Sequence, residues 1–286
     1  PVAGRPMVEW AVRTAEQIGE RTPVVVVGHG KEHVQALLGE RVQYVEQAQL
    51  LGTGHAVMQA ATALRGQSEA VVVFYADMPL MQADTFHRLV SLFSDYRQSN
   101  DVALAMLTIQ RDDSQGFGRV VRDAQGQVQA IVEEVDCTPE QRLIRELNPG
   151  IYCFDSAWLW SNLVHIPVSA KGEYYLTDMV GVAVAQGRRV VTALAPIDDV
   201  HGINTRIHLA HAEALMRQRI AERHMLNGVT IMDPHTTYID DSVEIGSDTT
   251  ILPGCLLQGA TKVGNHAVIG PHSQLVDSIV GDHCRV

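Results

Sequence analysis

Tyr238-Ile239-Asp240-Asp241-Ser242-Val243-Glu244-Ile245-Gly246 opens a run in which an aliphatic residue returns every six positions: Ile239, Ile245, Ile251, Leu257, Val263, Ile269 and Leu275. Glycine follows the aliphatic residue at Ile245, Val263, Ile269 and Val280, and small or β-branched residues recur between. A six-residue period predicts a parallel β-helix, in which three short strands make one triangular coil with the aliphatic side chain pointing inward. A β-sandwich would instead require two-residue alternation with irregular turns. These aliphatic residues are therefore assigned to internal stacking and to no chemistry.

Immediately upstream, residues 206–226 carry apolar positions at Leu209, Ala212, Leu215, Met216 and Ile220, and Asn227-Gly228 supplies a stop signal. This reads as a long linking helix. Further back, to about residue 200, helical and strand-like segments alternate. Helices are expected at Met7–Gly19, Lys31–Leu38, His55–Leu64 and Asp84–Arg97, and strands at Pro23–Val27, Ala70–Tyr75 and Val102–Ile109. Such alternation predicts an α/β domain with a mostly parallel sheet, whose ligands bind beyond the carboxyl ends of the strands. Short segments at Gly118–Val121, Gln129–Glu133 and Gly150–Phe154, with a polar turn at Asp123–Gly126, read as a smaller antiparallel insert flanking that sheet.

The chain has 286 residues and a net charge of −11, from 22 Lys and Arg against 33 Asp and Glu. Such a balance disfavours a nucleic-acid or anionic-membrane partner, since both require a cationic face. The four cysteines show no CxxC spacing and no run approaches the length of a bilayer span, so a soluble, cytoplasmic protein with reduced thiols is expected. The absence of an initiating Met and the end at Val286 in mid-pattern read as two cut ends.

Several residues suggest chemistry. Leu51-Gly52-Thr53-Gly54-His55-Ala56 places two glycines about a hydroxyl at a helix mouth, where backbone N–H groups can meet an acceptor or Thr53 can cap the helix. Gln47, just upstream, could read a base edge through its amide. Tyr75-Ala76-Asp77-Met78 ends an apolar strand with a carboxylate suited to a Mg²⁺ on substrate phosphates, or to capping a turn. Glu133, Asn148 and Gly118 fall at strand ends. Thr177 and Asp178 read as helix-cap candidates, as does Asn204. His208 and His211 have a spacing that can hold zinc, but no third ligand is evident.

Taken in order, LGTGHA at 51–56, YADMPL at 75–80, GFGRV at 116–120, IVEE at 131–134, ELNPGIY at 146–152, GEYYLTD at 172–178 and GINTR at 202–206 resemble the bifunctional family of N-acetylglucosamine-1-phosphate uridyltransferases and glucosamine-1-phosphate acetyltransferases. The resemblance implies a Rossmann-like nucleotidyltransferase domain over residues 1–205, a linker helix over 206–227 and a left-handed parallel β-helix over 228–286. It implies UTP and N-acetylglucosamine-1-phosphate as substrates, UDP-N-acetylglucosamine as product, and Mg²⁺ as cofactor. Acetyl-CoA is implied for the full-length protein, together with assembly as a homotrimer through the β-helix.

By position, Gln47, Gly52 and Thr53 match uridine-binding residues. Tyr75, Ala76 and Asp77 match the nucleotide-sugar segment, Ala76 standing where Gly or Ser is common. Gly118, Glu133 and Asn148 match sugar-binding residues, and Asp77 and Asn204 match the two metal ligands. Val135 departs from the pattern, in which a Lys often occurs. No side chain is expected to act as a nucleophile. The family's Gly-rich triphosphate loop and following Lys find no counterpart before Pro1, so weak uridyltransferase activity is expected of this length of chain. Two other readings remain: a sugar-1-phosphate nucleotidyltransferase using dTTP or glucose-1-phosphate, and a non-catalytic regulatory subunit.

Overall fold

The computed structural model describes residues 1–97 and 101–286. They form two compact units: Ala11–Ala76 with Met81–Val200, and Pro1–Trp10 with Asp77–Leu80 and His201–Val286.

The larger unit is built on two sheets. β1 (Val24–Val27) pairs in parallel with β2 (Gln43–Glu46). The main sheet contains β3 (Ala70–Val73), β4 (Val102–Gln110), β5 (Gly118–Arg122), β6 (Val128–Val132), β7 (Glu146–Asn148), β8 (Tyr152–Asp155) and β9 (Arg189–Leu194). Its order is β3-β8-β4-β7-β5-β6, with β9 parallel to β4. β4 is buried at every position but the last, as its unbroken apolar run requires. Phe154 and Tyr152 on β8 and Leu104 and Met106 on β4 are fully buried and form the centre of the core.

Two sequence expectations change here. Gly150–Phe154 was expected in the flanking insert, but β8 lies between β3 and β4, antiparallel to both. β7 and β8 follow one another along one edge of β4, joined by a bond from the Leu107 N–H to the Ile151 carbonyl. The expected single helix from His55 to Leu64 is two, α3 (Thr53–Gln59) and α4 (Ala61–Leu64), divided at Ala60. β1, a continuous run of valines, is buried only at Val27, and β2 is its only strand partner among the described residues.

In the smaller unit, the six-residue period gives three ladders of short parallel strands. They run Thr230–Ile231, Thr250–Ile251, Val268–Ile269; Tyr238–Ile239, Leu256–Gln258, Gln274–Val276; and Glu244–Ile245, Lys262–Val263, Ile279–Val280. Most ladder partners lie one coil, 18 residues, apart, as do Ala267 and Thr249. Inward stacks follow: Ile231 over Ile251 over Ile269, Ile239 over Leu257 over Leu275, and Ile245 over Val263 over Val280. Ile251, Leu257 and Ile269 are fully excluded from solvent, each contributing about 1.5–3 kcal/mol of transfer free energy. Ile231 and Val280 depart from strict six-residue spacing, yet both occupy the stack, so the loops absorb the slip and the ladder keeps its register. The 206–226 helix forms as expected, at Arg206–Leu226. Among the described residues, no helix is long and apolar enough to cross a membrane.

Candidate functional site

Gln47 follows β2, and its backbone N–H continues the parallel ladder onto the Val27 carbonyl. The loop beyond turns at Gly52, whose φ of +96° favours glycine. A side chain there would also collide with the Tyr174 carbonyl, 2.6 Å from the Cβ position. This close approach fastens two distant motifs. Gly54 N–H donates to the Tyr174 carbonyl at 2.8 Å, and Tyr174 N–H donates to the Leu51 carbonyl at 2.8 Å. Thr53 does not cap α3: its hydroxyl oxygen accepts from the Leu176 N–H at 3.0 Å, and Gly52 holds the cap position.

The next residue along that strap is Thr177. It stands at the cap position of α7 (Asp178–Ala185), yet its hydroxyl makes no cap bond and donates to Glu133 Oε1 at 3.0 Å. Glu133 leaves β6 beside β5, and its Oε2 lies 3.5 Å from where a Gly118 side chain would begin. Asn148, buried at the end of β7, donates from Nδ2 to the Tyr152 hydroxyl at 2.8 Å and accepts from the Gly150 N–H at 3.0 Å. Gly150 has φ +81°, and the Tyr75 ring occupies the space a side chain would need. Burial, followed by the charge of Glu133, raises the Asp178 carboxyl above its ordinary value. Burial raises the Tyr152 hydroxyl far more. Gln47, Gly52 and Thr53 thus form one group and Tyr75, Gly118, Glu133 and Asn148 another, with Leu176-Thr177 joining the two. Ala76 is exposed.

Asp77 and Asn204 meet in the smaller unit. The Ile203 N–H donates to the Asp77 carbonyl at 2.9 Å, which pins the two segments together. Gly202 leaves room beside both side chains: its Cβ position would lie 3.9 Å from Asn204 Nδ2, 3.9 Å from Met78 Cε and 4.0 Å from Asp77 Oδ2. Asn204 is not the cap it could have been. Thr205 caps the Arg206–Leu226 helix by accepting from the His208 N–H. Asp77 Oδ1 is buried with no hydrogen-bond partner, and burial raises its carboxyl above the ordinary value. A buried orphan carboxylate oxygen, a neighbouring amide and an open cradle fit a hard cation, which takes oxygen ligands.

His208 and His211 instead pack on the His201 ring, at 5.5 and 4.7 Å between centroids. Among the described residues, no group of three His, Cys, Asp or Glu side chains could hold a metal. Sequence reasoning passed over Thr177, Gly202 and the contacts of His55. Thr177 carried a signal, a cap-type residue in a polar motif, but the cap explained it equally well.

Residues 1–150 match the MobA-like NTP transferase domain, a match that covers more than half of the chain. The chain belongs to that family. The MobA-like domain and the coils that follow are 44% identical over 286 residues to the bifunctional protein GlmU of Caldanaerobacter subterraneus subsp. tengcongensis. They are 43% identical over 288 residues to that of Enterococcus faecalis. All of this chain is covered in both alignments, but it spans only 62% of each relative's length. Among solved structures, UDP-glucose pyrophosphorylase complexed with UDP-glucose superposes with a TM-score of 0.60 at 16% identity, over 77% of this chain and 89% of that one. A CMP:2-keto-3-deoxy-manno-octonic acid synthetase complexed with CTP reaches a TM-score of 0.55 at 15% identity, over 77% and 90%. At such identities these structures show the fold alone.

Proposed function

We propose that this chain carries the uridyltransferase half of a bifunctional enzyme, joining UTP and N-acetylglucosamine-1-phosphate into UDP-N-acetylglucosamine with release of pyrophosphate. The observation that carries this reading is the strap Tyr174–Thr177. One of its residues holds the Gly52-Thr53 turn and the next holds Glu133, so base-reading and sugar-reading groups share one short piece of backbone. Identity of 43–44% across the whole chain to proteins named GlmU supports the same substrates.

In this reading Gln47 meets the base, and the Gly52-Thr53 turn lets the nucleotide approach backbone. Glu133 and Asn148 bind sugar hydroxyl and amide groups, with Gly118 leaving room for them and Tyr75 closing over Gly150. Asp77 and Asn204 hold Mg²⁺, which when bound neutralises phosphate charge. The sugar phosphate oxygen attacks the α-phosphorus of UTP and pyrophosphate departs, so no protein nucleophile is needed. The chain's own contribution is to orient the two substrates in line and to offer the unpartnered Asp77 carboxylate oxygen as a metal ligand. Acetyl-CoA and trimeric assembly belong, within the same proposal, to the longer β-helix of the full-length protein, and the cytoplasm is its compartment.

Calorimetric titration with UDP-N-acetylglucosamine and UDP-glucose, with and without Mg²⁺, tests the assignment. Metal-dependent binding that prefers the N-acetylated sugar supports it. Preference for UDP-glucose moves the chain to another sugar, and no binding of either removes the nucleotide-sugar reading.

A further inference from the structure

His55 is the third residue beyond Gly52, in the first turn of the helix that begins at Thr53, and its ring is sandwiched between two amides. Gln47 Nε2 is 3.0 Å from the Gly52 carbonyl oxygen and 3.0 Å from His55 Nδ1. Gln59 Nε2 is 3.1 Å from His55 Nε2. The Tyr174 ring stacks on the imidazole at 6.2 Å between centroids and 27° between planes. A backbone carbonyl can only accept, so the Gln47 atom facing Gly52 must be the NH₂ group. That same nitrogen faces Nδ1, which accepts the second amide proton when the ring's own proton is on Nε2; the Gln59 amide, which faces Nε2 and the His55 carbonyl in the same way, must then turn. Gln59 is half-buried and can turn its oxygen to meet that proton, giving up a 3.1 Å bond to the His55 carbonyl.

Both Gln47 amide protons are thereby committed. The atom left over is Oε1, which makes no hydrogen bond among the described residues. In that tautomer, turning the amide over would set Oε1 against two acceptors at once, the Gly52 carbonyl and Nδ1. The amide is therefore held in one orientation, presenting an acceptor and no donor. A pyrimidine with N–H at position 3, uracil or thymine, complements that acceptor, whereas cytosine offers a lone pair at the same position.

We propose that His55 is a positioning residue for base choice: by accepting from Gln47 it keeps the Gln47 oxygen turned outward, so that the site takes a base bearing N3–H and rejects cytosine. This rests on the reading above that Gln47 meets the base. It assigns discrimination to a residue that need not touch the nucleotide, and it works by repelling the wrong base as much as by attracting the right one.

The test is binding of UDP and CDP to the whole chain, unaltered and carrying His55→Leu or His55→Asn. Leucine removes one of the two acceptors and leaves the Gly52 carbonyl alone to hold the amide, so the UDP:CDP affinity ratio falls by about tenfold. Asparagine places its oxygen close to where Nδ1 stands, so the ratio stays within about threefold of the unaltered chain. A purely structural role for His55 would weaken both nucleotides in proportion, and an unchanged ratio in the leucine variant overturns the proposal. If that variant does not fold, the ¹⁵N spectrum of the His55 ring in the unaltered chain decides: a proton on Nε2 alone supports the proposal, and one on Nδ1 overturns it. Failure of the unaltered chain to bind UDP would overturn the nucleotide reading itself, a result distinct from binding with no base preference.

Discussion

The β-helix coils and the β3–β9 sheet are both made of apolar strands, but they solve the pairing problem in opposite ways. Each coil strand meets the strand one coil further on, so neighbours in the chain are neighbours in space. In the sheet, β8 enters between β3 and β4, and β9 returns from more than 80 residues away to lie beside β4. Damage to a coil should therefore stay with adjacent coils, whereas damage to the sheet should spread through its unit.

The sharpest way to break this contrast is a matched pair of truncations. Phe154→Ala, at the centre of the sheet, should cost about 3–5 kcal/mol, and Ile251→Ala, in the middle of a stack, about 2–5 kcal/mol. Hydrogen exchange should show lost protection throughout β3–β9 in the first variant and only in the flanking coils in the second. Equal spread of the two patterns would erase the distinction.

A smaller effect separates two glycines. Gly52→Ala forces a methyl onto the Tyr174 carbonyl at φ +96°, and backbone cannot swing aside. It should cost about 1–3 kcal/mol and lower UDP affinity at least tenfold. Gly259→Ala, at φ +65° in a coil corner, meets the end of the Asp277 side chain, which can move. It should cost about 1 kcal/mol and leave nucleotide binding unchanged. Thermal melts with nucleotide titration measure both.

The smallest effect has the opposite sign. Because burial raises the Asp77 carboxyl, the folded chain at neutral pH carries a desolvated charge that the unfolded chain does not. Asp77→Asn should stabilise the metal-free chain by about 1 kcal/mol at pH 7. Protonation relieves the same penalty, so the gain should fade as acidification passes through the raised value and be gone below about pH 4. The substitution should also weaken Mn²⁺ or Mg²⁺ binding at least tenfold. A variant that is less stable without metal would contradict the assignment of Asp77 as an ion ligand held in waiting.

How much of this was legible depended on whether the cause was local. The Ile239–Leu275 period could be read because it states its own pairing, even though Ile231 and Val280 slip from it. The helices at Met7–Ile18, Lys31–Leu38 and Arg206–Leu226 could be read from spacing and stop signals. The central place of β8 could not: an apolar run of four residues looks the same in an insert as in a core. Asp77 and Asn204 could be suggested by family resemblance, but only the structure shows that Asn204 does not cap the helix after it, since Thr205 takes that duty. His55 was quoted within its motif and given no role, because its meaning lies in the amide of Gln47, eight residues earlier, and in a carbonyl between them.

The Tyr174–Thr177 strap has a further consequence for anyone redesigning this protein. A single peptide link separates Leu176, which braces the Gly52-Thr53 turn, from Thr177, which grips Glu133, so under the proposed function the two recognition tasks share a hinge. Transplanting this segment to change sugar preference would tug on nucleotide choice as well, and selections for one trait should recover compensating changes in the other.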